Sequence, residues 1–139
     1  MIRLDETDAR LLALLRKNAR APYSVLAKEL GLSESAVRKR IKRLVQAGVI
    51  KRFTIEYDMP GEIGAIILVK IQPPTPIPRI LPKILSYHMI DRVMEVTGEY
   101  DIVAVARAQR VEDINELIDY IRSIEGVQAT YTMIILRSH

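Results

Sequence analysis

The chain of 139 residues has no cysteine, which excludes disulfides and thiolate metal sites and is compatible with a reducing cytoplasm. It has two histidines, His88 and His139, and neither sits in a nucleophile or metal-binding pattern, so no metal, cofactor or catalytic residue is expected. No run approaches the roughly 20 consecutive apolar residues that a membrane helix needs. The opening Met-Ile-Arg-Leu-Asp-Glu-Thr-Asp lacks the basic-then-apolar build of a secretory signal. A cytoplasmic protein with no membrane partner is the expectation. What is present is enough apolar material, 49%, for packed cores, in one ordinary domain or two small ones.

Charge is unevenly spread. Residues 1–57 carry 13 Lys and Arg against 6 Asp and Glu, a balance of +7, whereas residues 58–139 carry 8 against 11, a balance of −3. A polyanion would be met by the first half only. Within that half, Gly31 follows the short apolar segment Val25–Leu30, where a left-handed helix end is expected, and Ser33 stands where the next helix needs its N-cap. Beyond it Val37, Ile41, Leu44 and Val45 recur at helical spacing as one apolar stripe. Five of the fifteen residues from Ser33 to Ala47 are Lys or Arg, against the single acid Glu34. A helix, a tight turn and a helix with one cationic face is the helix-turn-helix pattern for the DNA major groove. A solvated basic face on an ordinary surface helix is the plainer reading of the same residues.

Taken in order, Asp5 should cap helix one, with Leu4 as a staple and Asp8 reaching back from the third helical position. Leu11, Leu12, Leu14 and Leu15 give that helix a broad apolar face, and Pro22 ends it. Helix two is expected over Tyr23–Leu30 and helix three over Ser33–Ala47, closed by Gly48. Val49–Tyr57, β-branched and aromatic, reads as an extended segment or wing, with Lys51 and Arg52 available to phosphate. Residues 58–64 hold a proline and two glycines and mark a linker between a domain over 1–57 and another over 65–139.

The second half alternates strands and helices. Ala65–Gln72 is apolar on both faces, Ile67, Val69 and Ile71 on one and Ile66 and Leu68 on the other, so it needs a helix layer and a second covering partner. Four prolines lead to a short helix over Arg79–Tyr87, with Pro82 in its first turn or just beyond. Strands Ile90–Thr97 and Asp101–Ala108 follow, then helix Val111–Ile124, with Ile114, Leu117, Ile118 and Ile121 in register, and a last strand, Val127–Arg137. The expected fold class is α+β: a winged helix-turn-helix domain followed by a βαββαβ, ferredoxin-like domain.

With both halves in view, the sequence resembles the leucine-responsive/asparagine regulator (Lrp/AsnC) family of bacterial and archaeal transcription factors. The resemblance spans nearly the whole chain. Its motifs are Leu4-Asp5-x-x-Asp8, Leu26-Ala27 with Leu30-Gly-Leu-Ser33, Val37-x-x-Arg40-Ile-x-x-Leu44-x-x-x-Gly48-Val-Ile50, and Gly98-Glu-Tyr-Asp101. It implies a homodimer of back-to-back sheets, higher assemblies such as octamers, and an amino acid or related small molecule bound between subunits. Two departures stand out: Pro22 replaces the usual Ser or Thr cap of helix two, and the linker before Ala65 is short.

Candidate sites follow. For DNA, Ser33 and Ser35 at the helix start are suited to phosphate or a base edge, and Arg38, Lys39, Lys42 and Arg43 to groove and phosphate contacts. Arg40 borders the apolar stripe, where a structural ion pair fits as well as DNA. As residues alone, Gly98, Glu99, Tyr100 and Asp101 read as an ordinary strand connection; with the resemblance they become an effector site, the glycine allowing close backbone approach and a carboxylate suiting an α-ammonium group. Thr130 and Thr132 share a face of the last strand and join this set, though as residues they equally suit plain strand formers. The expected function is sequence-specific transcriptional regulation of DNA, modulated by an amino acid. The alternatives are an effector-independent DNA-packaging protein and, with His88 as its only catalytic candidate, a porphyrin-decarboxylating enzyme on the same architecture.

Overall fold

Asp5 opens the first helix, α1 (Glu6–Lys17), through a reciprocal capping box: the Asp8 N–H donates to Asp5 Oδ1 at 2.7 Å, and the Asp5 N–H to Asp8 Oδ2 at 3.1 Å. The structure, a computed structural model, describes residues 2–138. Contacts divide the chain into two units, one ending at Tyr57 and the other beginning at Asp58.

In the first unit α1 is followed by α2 (Tyr23–Leu30) and α3 (Glu34–Gln46). Pro22 offers no side-chain cap; instead its carbonyl accepts the N–H groups of Val25 and Leu26 at 3.0 and 3.1 Å. Gly31, at φ +67°, reverses the chain after α2, and the Leu32 N–H closes the end on the Ala27 carbonyl at 2.9 Å. Leu11, Leu15, Leu26, Ala27, Leu30, Val37, Ile41 and Leu44 form the core of this unit. Val45, expected in the stripe, is instead 44% exposed, because it lies a further 100° round the helix from Leu44. Val49 and Ile50 fold back onto the core, their N–H groups both donating to the Leu44 carbonyl.

The expected wing does not form. Residues 51–59 belong to no helix or strand and are exposed throughout. Their composition favours an extended backbone, but a wing needs a returning strand, and the chain turns at Pro60-Gly61 without supplying one.

One buried carboxylate holds α1 to α3. Asp8 is the only charged residue fully buried among the described residues. It accepts from Arg40 Nη1 at 2.8 Å and from Arg43 Nη2, while Arg40 also reaches both oxygens of Asp5, at 2.9 and 2.7 Å. Burial alone would push the Asp8 carboxyl up. The Asp5 backbone N–H and the two guanidiniums outweigh that penalty and hold it down at about 2. Asp5 is lowered as well, chiefly by its hydrogen bond from Arg40.

The second unit runs β1 (Ile63–Ile71), α4 (Ile77–Leu85), β2 (Ile90–Glu95), β3 (Ile102–Ala108), α5 (Val111–Ser123) and β4 (Val127–Ile135). Its sheet is antiparallel throughout in the order β2-β3-β1-β4, the ferredoxin-like arrangement. β1 opens at Ile63, so the last two residues of the expected 58–64 linker are strand. α4 begins two residues earlier than expected, leaving Pro82 as its sixth residue, beyond the first turn as the second of the two expected placements allowed. Burial of Ile80 and Ile84 against the sheet outweighs the backbone hydrogen bond that Pro82 forgoes.

Alternation along the strands sorts the two faces. Ala65, Ile67 and Val69 of β1 and Ile102, Ala104 and Ala106 of β3 pack beneath Ile80 and Ile84 of α4 and Ile114, Leu117 and Ile121 of α5. On the other face Ile66 pairs with Val105 and Met133, and Leu68 with Val103 and Tyr131. Among the described residues no element of this unit covers that face, and Tyr131 and Met133 are 54% and 40% exposed. Among the described residues, no helix is long and apolar enough to cross a membrane.

Two outcomes follow from these contacts. Asp8 releases its proton more readily when folded than when unfolded, so its contribution is present above the ordinary carboxylate value of 3.8 and is lost as pH falls toward 2. Asp8→Asn should destabilise the first domain by on the order of 2 kcal/mol at neutral pH. It should also flatten the decline in melting temperature between about pH 4 and pH 2, followed by circular dichroism. In the second domain Gly126 lies at φ +98°, and a Cβ there would run into the side chain of Thr75. Gly126→Ala should cost about 1–3 kcal/mol by calorimetry, partly restored by Thr75→Ala.

Candidate DNA-binding helix and effector loop

α3 starts on Ser33, whose Oγ accepts the Ala36 N–H at 3.2 Å. The Ser35 hydroxyl lies 3.1 Å from the same oxygen. Both serines are exposed at the helix start, with the Ser33 acceptor already engaged in capping. The five cations of α3 then fall into two groups. Arg40 and Arg43, three residues apart, turn toward Asp5 and Asp8. Arg38, Lys39 and Lys42 are exposed, and none of them forms an ion pair among the described residues. The Arg38 guanidinium carbon stands over the Tyr23 ring, 4.8 Å from its centroid.

Arg40 therefore takes the structural of its two readings, and Arg43, expected at DNA, is also committed to Asp8, though its side chain stays 45% exposed. What the sequence hides is Asp8. Its place in the capping box is legible from three-residue spacing, but its pairing with α3 joins residues 32 and 35 positions apart. Lys51 and Arg52 lie exposed in the segment that forms no wing.

In the second domain Gly98, at φ +122°, begins the turn from β2 to β3. The turn is pinned to β1: Lys70 Nζ donates to the Glu99 carbonyl, and the Asp101 N–H donates to the Val69 carbonyl at 3.0 Å. The Asp101 carboxylate accepts the Ile71 N–H at 2.7 Å, with Lys70 Nζ 4.0 Å from the same oxygen. Tyr100 lies against Tyr131, their ring centroids 6.4 Å apart, so it sits with the uncovered face of the sheet. Thr130 and Thr132 belong to the other face. They pair with Val69 and Ile67, and Thr130 Oγ1 accepts from Arg122 Nε of α5 at 2.9 Å. Gly98, Glu99, Tyr100 and Asp101 thus gather at one end of β1, with Thr130 close to that end and Thr132 opposite its middle, and the six are divided between the two faces of the sheet.

A cavity of about 240 Å³ lies elsewhere, between the start of α4 and the α5–β4 turn. Pro74, Thr75, Pro76, Arg79, Ile80, Lys83 and Glu125 line it, and it includes none of the six. The His88 ring stacks on Tyr87 with centroids 5.1 Å apart. Among the described residues there is no cluster of three or more His, Cys, Asp or Glu arranged to hold a metal. His139 lies outside the described residues.

Comparison with known proteins bears on both halves. Residues 4–45 match the AsnC-type helix-turn-helix domain, and residues 64–139 the Lrp/AsnC ligand binding domain. The HTH-type transcriptional regulator LysM of Sulfurisphaera tokodaii is 50% identical over 137 residues, which cover 99% of this chain and 98% of that one. The solved structure of E. coli AsnC superposes with a TM-score of 0.77 at 27% identity, covering 99% and 95% of the two chains. A Neisseria meningitidis transcriptional regulator in complex with L-Met shares the fold, with a TM-score of 0.80 at 23% identity over 97% and 91% of the chains. An amino-terminal helix-turn-helix, a ferredoxin-like domain behind it and relatives of this closeness place the chain in the Lrp/AsnC family of transcriptional regulators.

Proposed function

We propose that this regulator acts as a two-fold dimer, reads double-stranded DNA through α3, and has its assembly or DNA affinity set by an amino acid or related small molecule held between subunits. The observation that carries the reading is the outer face of the sheet. Ile66, Leu68, Val103, Val105, Tyr131 and Met133 form a continuous apolar surface in one chain, far from what a monomer gains by exposing. A second copy presenting the same face would cover it by symmetry. Two copies of α3 would then meet successive major-groove faces about 34 Å apart. Larger assemblies such as octamers would be built from such dimers, in the cytoplasm where the DNA is.

The proposed effector contacts are Gly98, Glu99, Tyr100 and Asp101, with Thr130 and Thr132 reached from the other face. Tyr100 beside Tyr131 brings the loop to the edge of the surface that the partner would cover. The L-Met complex of the Neisseria regulator supports an amino acid as the class of ligand. The proposed DNA contacts are Ser33, Ser35, Arg38, Lys39, Lys42 and the exposed part of Arg43. The relatives are transcriptional regulators, and the chain is read as a regulator and not an enzyme.

Leu68→Glu places a charge at the centre of the proposed interface and should convert the dimer to monomer in sedimentation, with a matching loss of DNA affinity. A dimer that survives Leu68→Glu would overturn the interface. For the effector, calorimetry against each amino acid should find a ligand for the wild type. Asp101→Asn, which keeps an acceptor for the Ile71 N–H but removes the charge, should weaken it about 10-fold or more while leaving unliganded DNA binding nearly unchanged. An amino acid that binds without altering assembly or DNA affinity would remove the regulatory reading and favour a DNA-packaging role.

A further inference from the structure

We infer that Arg38 is the residue of α3 that reads a base edge, and that Tyr23 of α2 is a positioning residue that holds it ready to do so. The inference rests on the DNA-binding reading above and narrows it to one guanidinium and its support.

The cations of α3 are not equivalent. Arg40 and Arg43 already serve Asp5 and Asp8, and turning either toward DNA would strip a partner from a fully buried carboxylate. Lys39 and Lys42 are exposed ammonium groups, point charges suited to phosphate and without the fork that matches a base edge. Arg38 is the remaining guanidinium, and a guanidinium donates bidentately to O6 and N7 of guanine. It lies in the second turn of α3, near the amino end from which recognition helices contact bases.

The support is the ring beneath it. Tyr23 is the first residue of α2 and is partly buried against the core of its domain, so the ring is fixed from below. Arg38 rests over that ring at 4.8 Å. A carboxylate holds an arginine by occupying its N–H donors, as Asp8 does for Arg40. A ring face restrains the side chain through its π electrons and leaves those donors to DNA. Tyr23 thus limits the orientations of Arg38 before binding, without spending the groups that read the base.

The test uses the full chain and two short duplexes of equal length. One carries the sequence that the wild type enriches from a random library, and the other is a scrambled sequence of the same composition; affinities are measured by anisotropy over a range of salt. Arg38→Ala should lose about 10-fold or more on the enriched duplex and little on the scrambled one. Tyr23→Leu should lose roughly 3- to 5-fold on the enriched duplex only, with an unchanged salt slope because the charge remains. Tyr23→Phe should restore wild-type discrimination. Tyr23→Leu in an Arg38→Ala background should cost nothing further. Arg38→Lys needs no change at Tyr23, keeps the charge and loses the fork; it should lose discrimination at constant salt slope, which keeps the test decisive where Tyr23→Leu fails to fold. Equal losses on both duplexes for Arg38→Ala, with a salt slope lower by about one, would make Arg38 a phosphate contact and overturn the inference while sparing the DNA-binding reading. A folded Tyr23→Leu that discriminates like wild type would overturn the positioning role. A wild type that binds neither duplex would overturn the DNA-binding reading itself.

Discussion

A single buried carboxylate decides how the first domain is put together. Asp8 completes the capping box of α1, and from the same position receives two guanidiniums of α3, so helices separated by the whole of α2 are fixed by one group. Removing an ion from water is costly, and the cost is met here by three donors on two oxygens. The same contact sorts the charge of α3. Two of its five cations become part of the fold, and the remaining three are left on the exposed side. The count of five cations on α3 therefore overstates how many of them stand clear of an ion pair among the described residues. Architecture and the proposed recognition draw on one set of arginines, and Asp8 divides them.

In the second domain the equivalent organiser is β1. It is central in the sheet, pairs on both sides, and carries apolar side chains on both faces. One face is finished within the chain by α4 and α5, with Ala65, Ala104 and Ala106 small enough for the helices to lie close. The other is covered by no element of this domain among the described residues. The end of β1 is also where the β2–β3 turn is moored, through Lys70 and the Asp101 carboxylate. The proposed interface and the proposed ligand loop share a strand, so a change at one would have a short path to the other.

Much of this was legible where local chemistry dictates it. Asp5, Gly31 and Ser33 each announce a helix boundary through a side chain or a left-handed turn, and the boundaries stand at those residues. The two apolar faces of β1 followed from a period of two. The misreadings share another cause. Pro82 suggested a helix start, yet packing of Ile80 and Ile84 overrides a local penalty that sequence counts in full. Strand composition after Gly48 left an extended segment or a wing open, and a wing depends on pairing with a second strand, not on propensity. The ion pair of Arg43 was not legible because its partner lies thirty-five residues back, and the pair leaves its proposed role at DNA open. Tyr23 carried no signal beyond being an aromatic at a helix start, and Thr130 and Thr132 showed their shared face but not that α5 lies over it.

The unfinished sheet face carries a consequence for abundance. Where a second copy covers it, as proposed, part of the stability of the second domain is supplied by mass action, growing with the logarithm of protein concentration at about 1.4 kcal/mol per tenfold. A cell holding few copies would then keep a larger share of them with Tyr131 and Met133 in water, where chaperones and proteases find apolar surface. Such a regulator would be cleared faster when scarce than when plentiful. Its copy number would tend toward two outcomes, low or sustained, before any ligand or operator is considered.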